Sequence, residues 1–436
     1  MQTGSLKNST EIWYVLKKRR LVKFSMGFML VLLFIAIIAP LLSNDKPLYL
    51  SYKGEYFFPA FSGIAFADIK TKNPERIYFE DGQFRNLENV SYVMPLIPYS
   101  PHKSDLDNSD YKSPGETQIR LEKNGQESEL KGLNRHLLGT GKRGEDLLSG
   151  LIHGSRVSLM VGICAMTIAG IIGIILGALA GYFGDHELKI RRANIWMLLI
   201  GILPSWFYGF QLRSFDLSDA LKFSTGLFVW ELLISILLFI VILTLFYLSG
   251  SIFSKVPFLN KRIHFPMDSV ISRVIEIITS LPRLILILSL AAIARPSLFN
   301  LVLIIGLTSW TEIARFTRAE MLRIRNMDFI QSARSMGFTD LRIILVHALP
   351  NAIAPALVAI AFGIASAILV ESGLSFLGIG VPQNIVTWGS LLAAGKENFS
   401  AWWLVVFPGI AIFMTVTIYN LLGEALRDAM DPKLRK

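Results

Sequence analysis

Few residues in this chain have both the type and the spacing that enzyme chemistry requires. The run Gly139-Thr-Gly141-Lys-Arg-Gly144 has the glycine spacing of a dinucleotide-binding turn and superficially resembles a phosphate loop. However, no buried strand precedes it, and no acidic residue follows on a later strand. A phosphate loop also has Ser or Thr after its lysine, whereas Lys142 is followed by Arg143. We therefore expect no nucleotide site here.

The histidines and the single cysteine do not indicate a metal site. The six histidines lack ligand spacing. They are His102, His136, His153, His186, His264 and His347. Because Cys164 is the single cysteine, an intrachain disulfide and a thiolate cluster are excluded. Cys164 lies inside an apolar run, and we expect it to be buried. Because we also find no nucleophile–base pair, we expect neither an enzyme nor a bound cofactor.

Ionisable residues in or beside apolar runs are the remaining candidates, since charge in a membrane is expensive and is often functional. Arg273 and Glu276 are three residues apart on one helical face, a spacing at which they could pair. Arg283 follows Pro282, and Glu371 ends an apolar run. We favour structural pairing or an interfacial position for these groups, and lining of a transport pathway is the alternative.

Composition indicates the element type that positions these residues. Of 436 residues, 52% are hydrophobic and only 17% are charged. A soluble domain rarely has this balance, so we predict a polytopic membrane protein. The net charge of +10 fits basic cytoplasmic loops, and we expect no nucleic-acid partner.

Eight apolar runs predict an all-α polytopic protein with eight spans. The run 195–210 is short and contains Pro204, and the positive-inside rule supports counting both it and 227–253 as spans, or neither. The basic tail before the first run places the N-terminus in the cytoplasm, and the length of that run favours an uncleaved anchor over a signal peptide. Eight crossings bring every basic cluster, and the C-terminus, to the same side. The runs are 24–42, 154–182, 195–210, 227–253, 270–294, 298–313, 352–370 and 402–422.

The same pattern predicts five regions. Residues 1–43 form a cytoplasmic tail and the first span, and 44–150 form a polar extracytoplasmic segment with short strands near 48–52 and 76–80. Its part from 105 to 131 is expected to be poorly ordered. Residues 151–192 contain a second span with small residues at helical spacing, 193–262 are an insertion with two spans, and 263–436 complete the core.

The stretch from Asp328 to Asn351 is polar and basic between two apolar runs. We predict a first helix from Asp328 to Met336, ended by Gly337 in a left-handed conformation. Thr339 would then cap a second helix, and Pro350 would end that helix or start the next one. A helix–glycine–helix pair between two spans is a feature that a partner protein can bind.

This stretch resembles the cytoplasmic coupling loop of bacterial ABC importer permeases, whose pattern is Glu-Ala-Ala, three residues, Gly, nine residues and Ile-x-Leu-Pro. Here Gln331-Ser332-Ala333 takes the first place, and Gly337 has the matching spacing. The pattern closes with His347-Ala-Leu349-Pro350. Gln331 thus replaces an acid and His347 an aliphatic residue, which leaves docking by shape intact but puts an ion pair at Gln331 in doubt.

Within that superfamily the chain is similar to the second permease subunit of dipeptide and oligopeptide transport systems. The resemblance covers roughly 134–192 and 267–432. It is carried by several short motifs in order along the chain. They are His136-Leu-Leu-Gly139-Thr140, Gly154-Ser-Arg156-Val-Ser158, Gly181-Tyr182-Phe183-Gly184, Leu374-Ser-Phe-Leu-Gly378-Ile-Gly380, Trp388-Gly389, Phe407-Pro408-Gly409 and Asn420-Leu-Leu-Gly423.

The resemblance implies a six-span permease core, here enlarged to eight spans by the insertion. It implies a permease subunit of an ATP-driven importer for peptides or a related small solute, with ATP hydrolysed by cytoplasmic ATPase subunits. The implied partners are those ATPases, a second permease in a homodimer or, more typically, a heterodimer, an extracytoplasmic substrate-binding protein, and membrane lipid.

The resemblance also implies a coupling loop at 315–350 that docks in a groove of an ATPase subunit. The implied contact residues are Phe329, Ile330, Gln331, Ser332, Ala333, Met336, Gly337, Leu349 and Pro350. Phe329, Ile330 and Met336 would be apolar anchors for a helix-in-groove contact. The alternative for this stretch is a basic amphipathic loop on anionic lipid. For the whole chain, the alternative is a membrane scaffold or receptor-like paralogue that no longer transports.

Overall fold

The computed structural model describes residues 20–62, 66–69, 75–79, 84, 90–121, 126–223, 225–253, 257–382 and 384–430. The predicted basic tail before Arg20 and the chain end after Met430 lie outside the described residues. The chain divides into two compact units, Met1–Ala178 with Ile275–Lys436, and Leu179–Val274.

Most of the described chain is helical. In chain order the helices are α1 Arg20–Leu42, α2 Pro59–Ser62, α3 Leu147–Phe183, α4 Arg192–Trp206, α5 Ser214–Phe223, α6 Thr225–Phe253, α7 Pro257–Asn260, α8 Met267–Thr279, α9 Arg283–Ile293, α10 Leu298–Ile324, α11 Asp328–Ser335, α12 Asp340–Arg342, α13 Leu349–Ala352, α14 Ala354–Phe376, α15 Trp388–Ala394 and α16 Trp403–Met430.

The strands are short, and all of their pairings are antiparallel. They are β1 Tyr49–Tyr52, β2 Glu55–Phe57, β3 Phe66–Ile69, β4 Glu75–Tyr78, β5 Ser91–Val93, β6 Ile119–Leu121, β7 Glu127–Glu129, β8 Lys189–Arg191 and β9 Arg262–His264. They form one sheet in the order β2-β1-β5 and three two-stranded ribbons, β3–β4, β6–β7 and β8–β9.

Seven helices of the described chain are long and apolar enough to cross a membrane, and they match seven of the eight predicted runs. The remaining predicted run, 270–294, is a pair of helices, α8 and α9, bent by 78° at the break between them. The break falls at Pro282, which lacks a backbone N–H and restricts the residue before it. The number of spans is therefore seven, or eight if the bent pair crosses as one.

The core of the first unit joins five helices. Buried apolar side chains of α1, α3, α14, α15 and α16 form one cluster. It contains Ala36, Leu159, Ala365, Ile368, Trp388, Ile412 and Tyr419. Trp388 is 1% exposed, and its indole nitrogen Nε1 donates to the carbonyl oxygen of Leu151 over 3.0 Å, which ties α15 to α3.

Glycines on α3 allow close contact with α10. A methyl group added at Gly177 would lie 2.5 Å from the carbonyl oxygen of Ala314, and one at Gly173 would lie 2.8 Å from that of Trp310. Small residues therefore face a neighbouring helix, as their spacing predicts. Cys164, on the same helix, is exposed rather than buried, so that expectation is wrong.

The polar segment 44–146 has its own small core, formed by Leu50, Tyr52, Ile77, Phe79 and Phe84. The two predicted strands correspond to β1 and β4. The expectation of poor order between 105 and 131 is wrong for its described residues, because Asn108 and Gln118 are fully buried there. The Asn108 side chain donates to the carbonyl oxygen of Ile119 and accepts from its N–H, which connects two parts of this stretch.

The second unit contains the predicted insertion 193–262. Its helices α4 and α6 approach closely where they carry glycine: a methyl group at Gly201 would lie 2.6 Å from Cβ of Phe246, and one at Gly250 would lie 2.7 Å from Cα of Asn194. The antiparallel ribbon β8–β9 pairs the strand before α4 with the strand after α7. Arg213 and Glu231 form an ion pair near the α4–α6 connection.

Candidate functional site

The coupling segment, residues 328–351, overlaps the predicted coupling loop 315–350, begins with α11 and turns sharply at Gly337. Gly337 has a φ of +77°, a left-handed conformation that other residues adopt at a cost. The N–H of Gly337 donates to the oxygen of Arg334, and the N–H of Phe338 donates to that of Ala333. This pair of bonds is a Schellman motif, which satisfies the carbonyl groups at the end of α11.

Helix α11 has one face towards its own chain and one face exposed. Ile330 and Ala333 are 0% and 2% exposed. Phe329 and Met336 are 42% and 66% exposed, and Gln331 and Ser332 are also exposed. The expectation that Ile330 is an apolar anchor for a partner is therefore wrong, because adjacent helical residues project about 100° apart and Ile330 falls on the buried side of α11.

The second half of the segment presents apolar residues that sequence analysis did not select. After Thr339, which caps α12 without a side-chain hydrogen bond, the chain passes through a π-helical turn, 343–348, into α13. Leu341, Leu345 and Val346 are 68%, 54% and 59% exposed. Their apolar character in a polar, basic stretch was the signal available in the sequence. Leu349 and Pro350 are half-buried, and Pro350 lies in the first turn of α13, so it starts a helix, the second of the two predicted possibilities.

A stack of three side chains stiffens this second half. The rings of Phe338 and His347 are parallel, with centroids 5.7 Å apart, and the guanidinium carbon of Arg342 lies 4.5 Å from the Phe338 centroid. His347, where the family pattern has an aliphatic residue, therefore packs as an aromatic ring against Phe338. Its Nε2 atom is buried and has no hydrogen-bond partner in the described structure.

Glu371 lies in the interior of the first unit. It is fully buried on α14 and accepts hydrogen bonds from the hydroxyl groups of Ser158 on α3, at 2.9 Å, and Ser375, at 2.8 Å. Among the described contacts its partners are hydroxyl groups rather than a cation. Glu371 therefore connects α3 to α14.

The other ionisable candidates lie on the bent pair. Arg273 and Glu276 are both exposed on α8, whose buried face carries Ile271 and Ile275. Arg283, at the start of α9, donates to the hydroxyl oxygen of Ser309 on α10 over 2.6 Å.

The glycine run 139–144 forms a tight turn with a structural role. Gly139 and Gly144 both have left-handed φ values, +84° and +80°. A methyl group at Gly144 would lie 1.9 Å from the carbonyl oxygen of Asp105, so only glycine fits. The N–H of Gly141 donates to the oxygen of Glu145 within the turn. The turn packs against protein backbone.

Beside this turn, His136 lies between two carboxylates, an arrangement that sequence analysis missed. Its Nδ1 lies 2.9 Å from Asp146 and its Nε2 lies 3.1 Å from Asp105, while its ring stacks on Tyr99 at 3.9 Å. Burial alone lowers the pKa of His136, but the hydrogen bonds to the two carboxylates outweigh it and raise that pKa. Burial raises the pKa of Asp105, and its bonds to His136 and Asn108 reverse this, so the pKa is lowered.

The cluster forms a clasp between two parts of the chain. Asp146 also accepts the N–H of Ser149 at 2.6 Å, in the first turn of α3, and the Ser149 hydroxyl group donates to the oxygen of Tyr99. The described partners of the His136 ring are thus two carboxylates and an aromatic ring. The clasp fastens the polar segment to the start of α3.

Comparison with known proteins identifies the class to which this fold and these motifs belong. Residues 249–436 match the family described as the binding-protein-dependent transport system inner membrane component, and residues 9–55 match the N-terminal TM domain of oligopeptide transport permease C. The di/tripeptide transport system permease protein DppC of Pseudomonas aeruginosa (strain UCBPP-PA14) is 31% identical over 305 residues, 70% of this chain and 74% of that protein.

Two further relatives are similar over nearly the whole chain. The inner membrane ABC transporter permease protein YejE of Escherichia coli (strain K12) is 26% identical over 96% of this chain and 96% of its own length. The peptidoglycan transport system permease protein YejE of Agrobacterium fabrum (strain C58 / ATCC 33970) is 26% identical over 97% and 92%. These matches include the polar segment and the second unit.

The chain therefore belongs to the family of binding-protein-dependent transport system inner membrane components. It is a permease subunit of an ABC importer and a multi-pass protein of the bacterial inner membrane. The predicted family is confirmed. These relatives are described as permeases, which favours transport over the scaffold or receptor-like alternative.

Proposed function

We propose that this subunit forms part of the translocation path of an importer for short peptides or a related solute, powered by ATP hydrolysis in partner ATPase subunits. The substrate class is supported by the names of relatives, among them a di/tripeptide and a peptidoglycan transport permease. The coupling role is supported by one observation in this chain, the exposed apolar face of the segment 328–351.

The coupling segment would dock in a groove of an ATPase subunit through this face. Phe329 and Met336 lie on the exposed side of α11, and Leu341 follows on the other side of the turn. Burial of three such side chains, at roughly 1.5–3 kcal/mol each, would supply much of the energy of a docking contact. Ile330 and Ala333 would fix α11 to its own chain, so that movement of the ATPase is transmitted to the spans rather than lost in the loop.

The turn at Gly337 would set the angle between the two halves of this surface. A side chain at that position would strain the left-handed backbone, and proline could not adopt its φ. Gln331 and Ser332 would contribute polar contacts beside the apolar anchors. Leu349 and Pro350, half-buried at the far end, would support the second half.

Docking to the ATPases requires the segment to be cytoplasmic, and the charge pattern supports this orientation. Arg315, Arg323 and Arg325 precede the segment. With the N-terminus also cytoplasmic, the positive-inside rule is satisfied when the bent pair α8–α9 counts as one crossing. Cysteine labelling at Ser214→Cys, between α4 and α6, tests this topology, because labelling from the cytoplasmic side alone would contradict the eight-span arrangement.

The docking surface can be tested with paired substitutions. We expect Phe329→Ala with Met336→Ala to reduce both copurification of the ATPase subunits and peptide uptake, because the variant removes exposed anchors and leaves the buried face of α11 intact. Phe399→Ala is the matched control, because Phe399 is 90% exposed and lies outside the segment. Gly337→Pro should have the same effect as the double variant.

If the double variant retains full uptake and full ATPase association, the coupling surface is misassigned. If the ATPases dissociate while the control variant also loses them, the effect is a general loss of folding and does not support the assignment.

We further propose that the path is completed by a second, different permease chain and that a substrate-binding protein docks on the outer side, on or near the polar segment. The family description supports the binding protein. A single chain also leaves apolar residues of α3 exposed, such as Ile171 and Ile175. Coexpression of two differently tagged copies distinguishes the assemblies, because copurification of both tags would indicate a homodimer.

A further inference from the structure

A cavity of about 390 Å³ lies beside the outer part of α3 in the first unit. Its walls come from the end of α1, the loop around His102, the α3 residues His153 and Arg156, and the loop before α15, including Asn384.

The ionisable side chains in the described lining of this cavity are all basic. His102, His153 and Arg156 line it together with the amides of Asn44 and Asn384, and its described lining has no acidic side chain. The nearby Asp45 lies 3.5 Å from Lys103, which offsets its charge.

A neighbouring cavity of about 520 Å³ shares the His102 wall but has a balanced lining, since Glu145 and Glu397 accompany Lys142 and Arg143 there. All four form described pairs: Glu145 with Arg143 at 2.9 Å, and Glu397 with Lys142 at 3.5 Å. The smaller cavity is therefore the one whose basic groups lack acidic neighbours in the described lining, which is the arrangement that selects an anion.

The two histidines can strengthen the attraction when an anion arrives. Nε2 of His153 donates to the carbonyl oxygen of Ser43 over 2.8 Å, so the neutral ring has an unprotonated Nδ1 that can take up a proton. Burial lowers the pKa of His102, which keeps it neutral in an empty cavity. An anion in the cavity would favour the protonated form of either ring.

The position of the cavity fits entry of a solute from outside. At 1.5 Å per residue, the 37 residues of α3 extend about 55 Å, well beyond a hydrocarbon layer of about 30 Å. His153 and Arg156 lie in its first three turns, next to the polar segment. Arg156 is exposed, so its guanidinium group can reach a ligand without rearrangement of the residues that line the cavity.

We propose that this cavity is a carboxylate-binding site that receives the C-terminal carboxylate of a peptide as it enters the pathway, with Arg156 as the principal ligand. The inference rests on the proposed function. Peptides differ in their side chains but share the backbone and the charged termini, so a permease that accepts many sequences can recognise the terminus. A guanidinium group binds a carboxylate through two parallel hydrogen bonds, and the asparagine amides add donors.

Uptake of a matched pair of substrates tests the site in the complete transporter. We compare alanyl-alanine with alanyl-alanine amide, which lacks the carboxylate, in cells that express the permease with its binding protein and ATPases. The ratio of acid to amide uptake should fall roughly ten-fold in Arg156→Gln, because a charge-assisted hydrogen-bond pair is lost. Arg156→Lys should retain part of the preference, and Arg120→Gln, which removes a charge outside the cavity, should match wild type.

The binding protein is the same in every strain, so its own preference cancels when variant ratios are divided by the wild-type ratio. An unchanged ratio in Arg156→Gln would overturn the proposal.

A second measurement uses the wild-type chain and does not depend on folding of a variant. Modification of Arg156 by phenylglyoxal is followed by mass spectrometry in phosphatidylcholine nanodiscs. Alanyl-alanine should slow the modification, and the amide should not. Equal effects of the two peptides, or protection only after phosphatidylglycerol is added, would overturn the proposal, the latter in favour of a lipid phosphate. If wild-type cells take up neither peptide but alanyl-alanine still protects Arg156, the proposed function fails while the carboxylate site stands.

Discussion

The clasp at His136 predicts a large local loss of stability when its charge is removed. In His136→Gln the side chain remains long enough to reach one carboxylate, but the imidazolium between Asp105 and Asp146 is gone. Asp146 is 2% exposed and would remain as a buried carboxylate without its cation. Removal of one partner from a buried pair costs about 3–5 kcal/mol, and a neutral hydrogen bond from glutamine returns about 1 kcal/mol.

We therefore expect a net cost of about 2–4 kcal/mol in the local opening of the clasp, which corresponds to at least a roughly 30-fold increase in the open population. Hydrogen–deuterium exchange of peptides that cover 105–121 and 136–149 measures this directly. His264→Gln is the control, because His264 is exposed in the other unit.

The same clasp predicts a pH dependence with a definite sign. The pKa of His136 is raised above its unfolded value of about 6.5, so its contribution is fully present below that value and is lost as pH rises through the folded pKa. The pKa of Asp105 is lowered, so its contribution is present above about 3.9 and is lost as pH falls through its folded pKa. The wild-type clasp should be tightest between about pH 4 and 6.5 and should weaken above neutrality.

Exchange in wild type and in His136→Gln is compared at each pH, so that the intrinsic rate of exchange cancels. The difference in protection should shrink as pH rises. Protection in His136→Gln equal to that of wild type at pH 6, or a difference that grows with pH, would refute the assignment of His136 as a charged partner of the two carboxylates.

Substitutions at three further positions test the core of the first unit by thermal unfolding in nanodiscs. Trp388→Ala should destabilise by about 3–5 kcal/mol, because this 1% exposed side chain fills the core, whereas Trp230→Ala, at a 61% exposed position, should cost far less. Gly389→Ala should destabilise by about 1–3 kcal/mol, because its methyl group would lie 2.3 Å from the oxygen of Ser372. Glu371→Leu should cost more than Glu371→Gln, which retains an acceptor for the surrounding hydroxyl groups; equal costs would contradict that role.

The positions of the spans could be predicted because they depend on local composition. A run of about 20 apolar residues is needed to cross the hydrocarbon layer, and seven such runs became single helices. The run 270–294 has the same composition but contains Pro282, and composition alone did not reveal the 78° bend. The bend also depends on the tertiary contacts of α9, among them the hydrogen bond that Arg283 donates to Ser309 on α10.

The coupling segment was predictable for a related reason. Gly337 ends α11 in a left-handed turn because that conformation is a property of glycine in its immediate sequence. Which face of α11 is exposed was not predictable, since Phe329 and Ile330 are adjacent and equally apolar. The packing of Ile330 and Ala333 against the rest of the chain decided it.

The sequence by itself determined the class of this protein, the spans and the glycine that turns the coupling segment, because apolar run length, glycine conformation and motif spacing act over a few residues. Only the tertiary structure brought His136 together with Asp105 and Asp146, and placed Arg156 beside His102 in one cavity. Charges separated by tens of residues meet only after the chain has packed, and their pairing depends on the distances that packing creates.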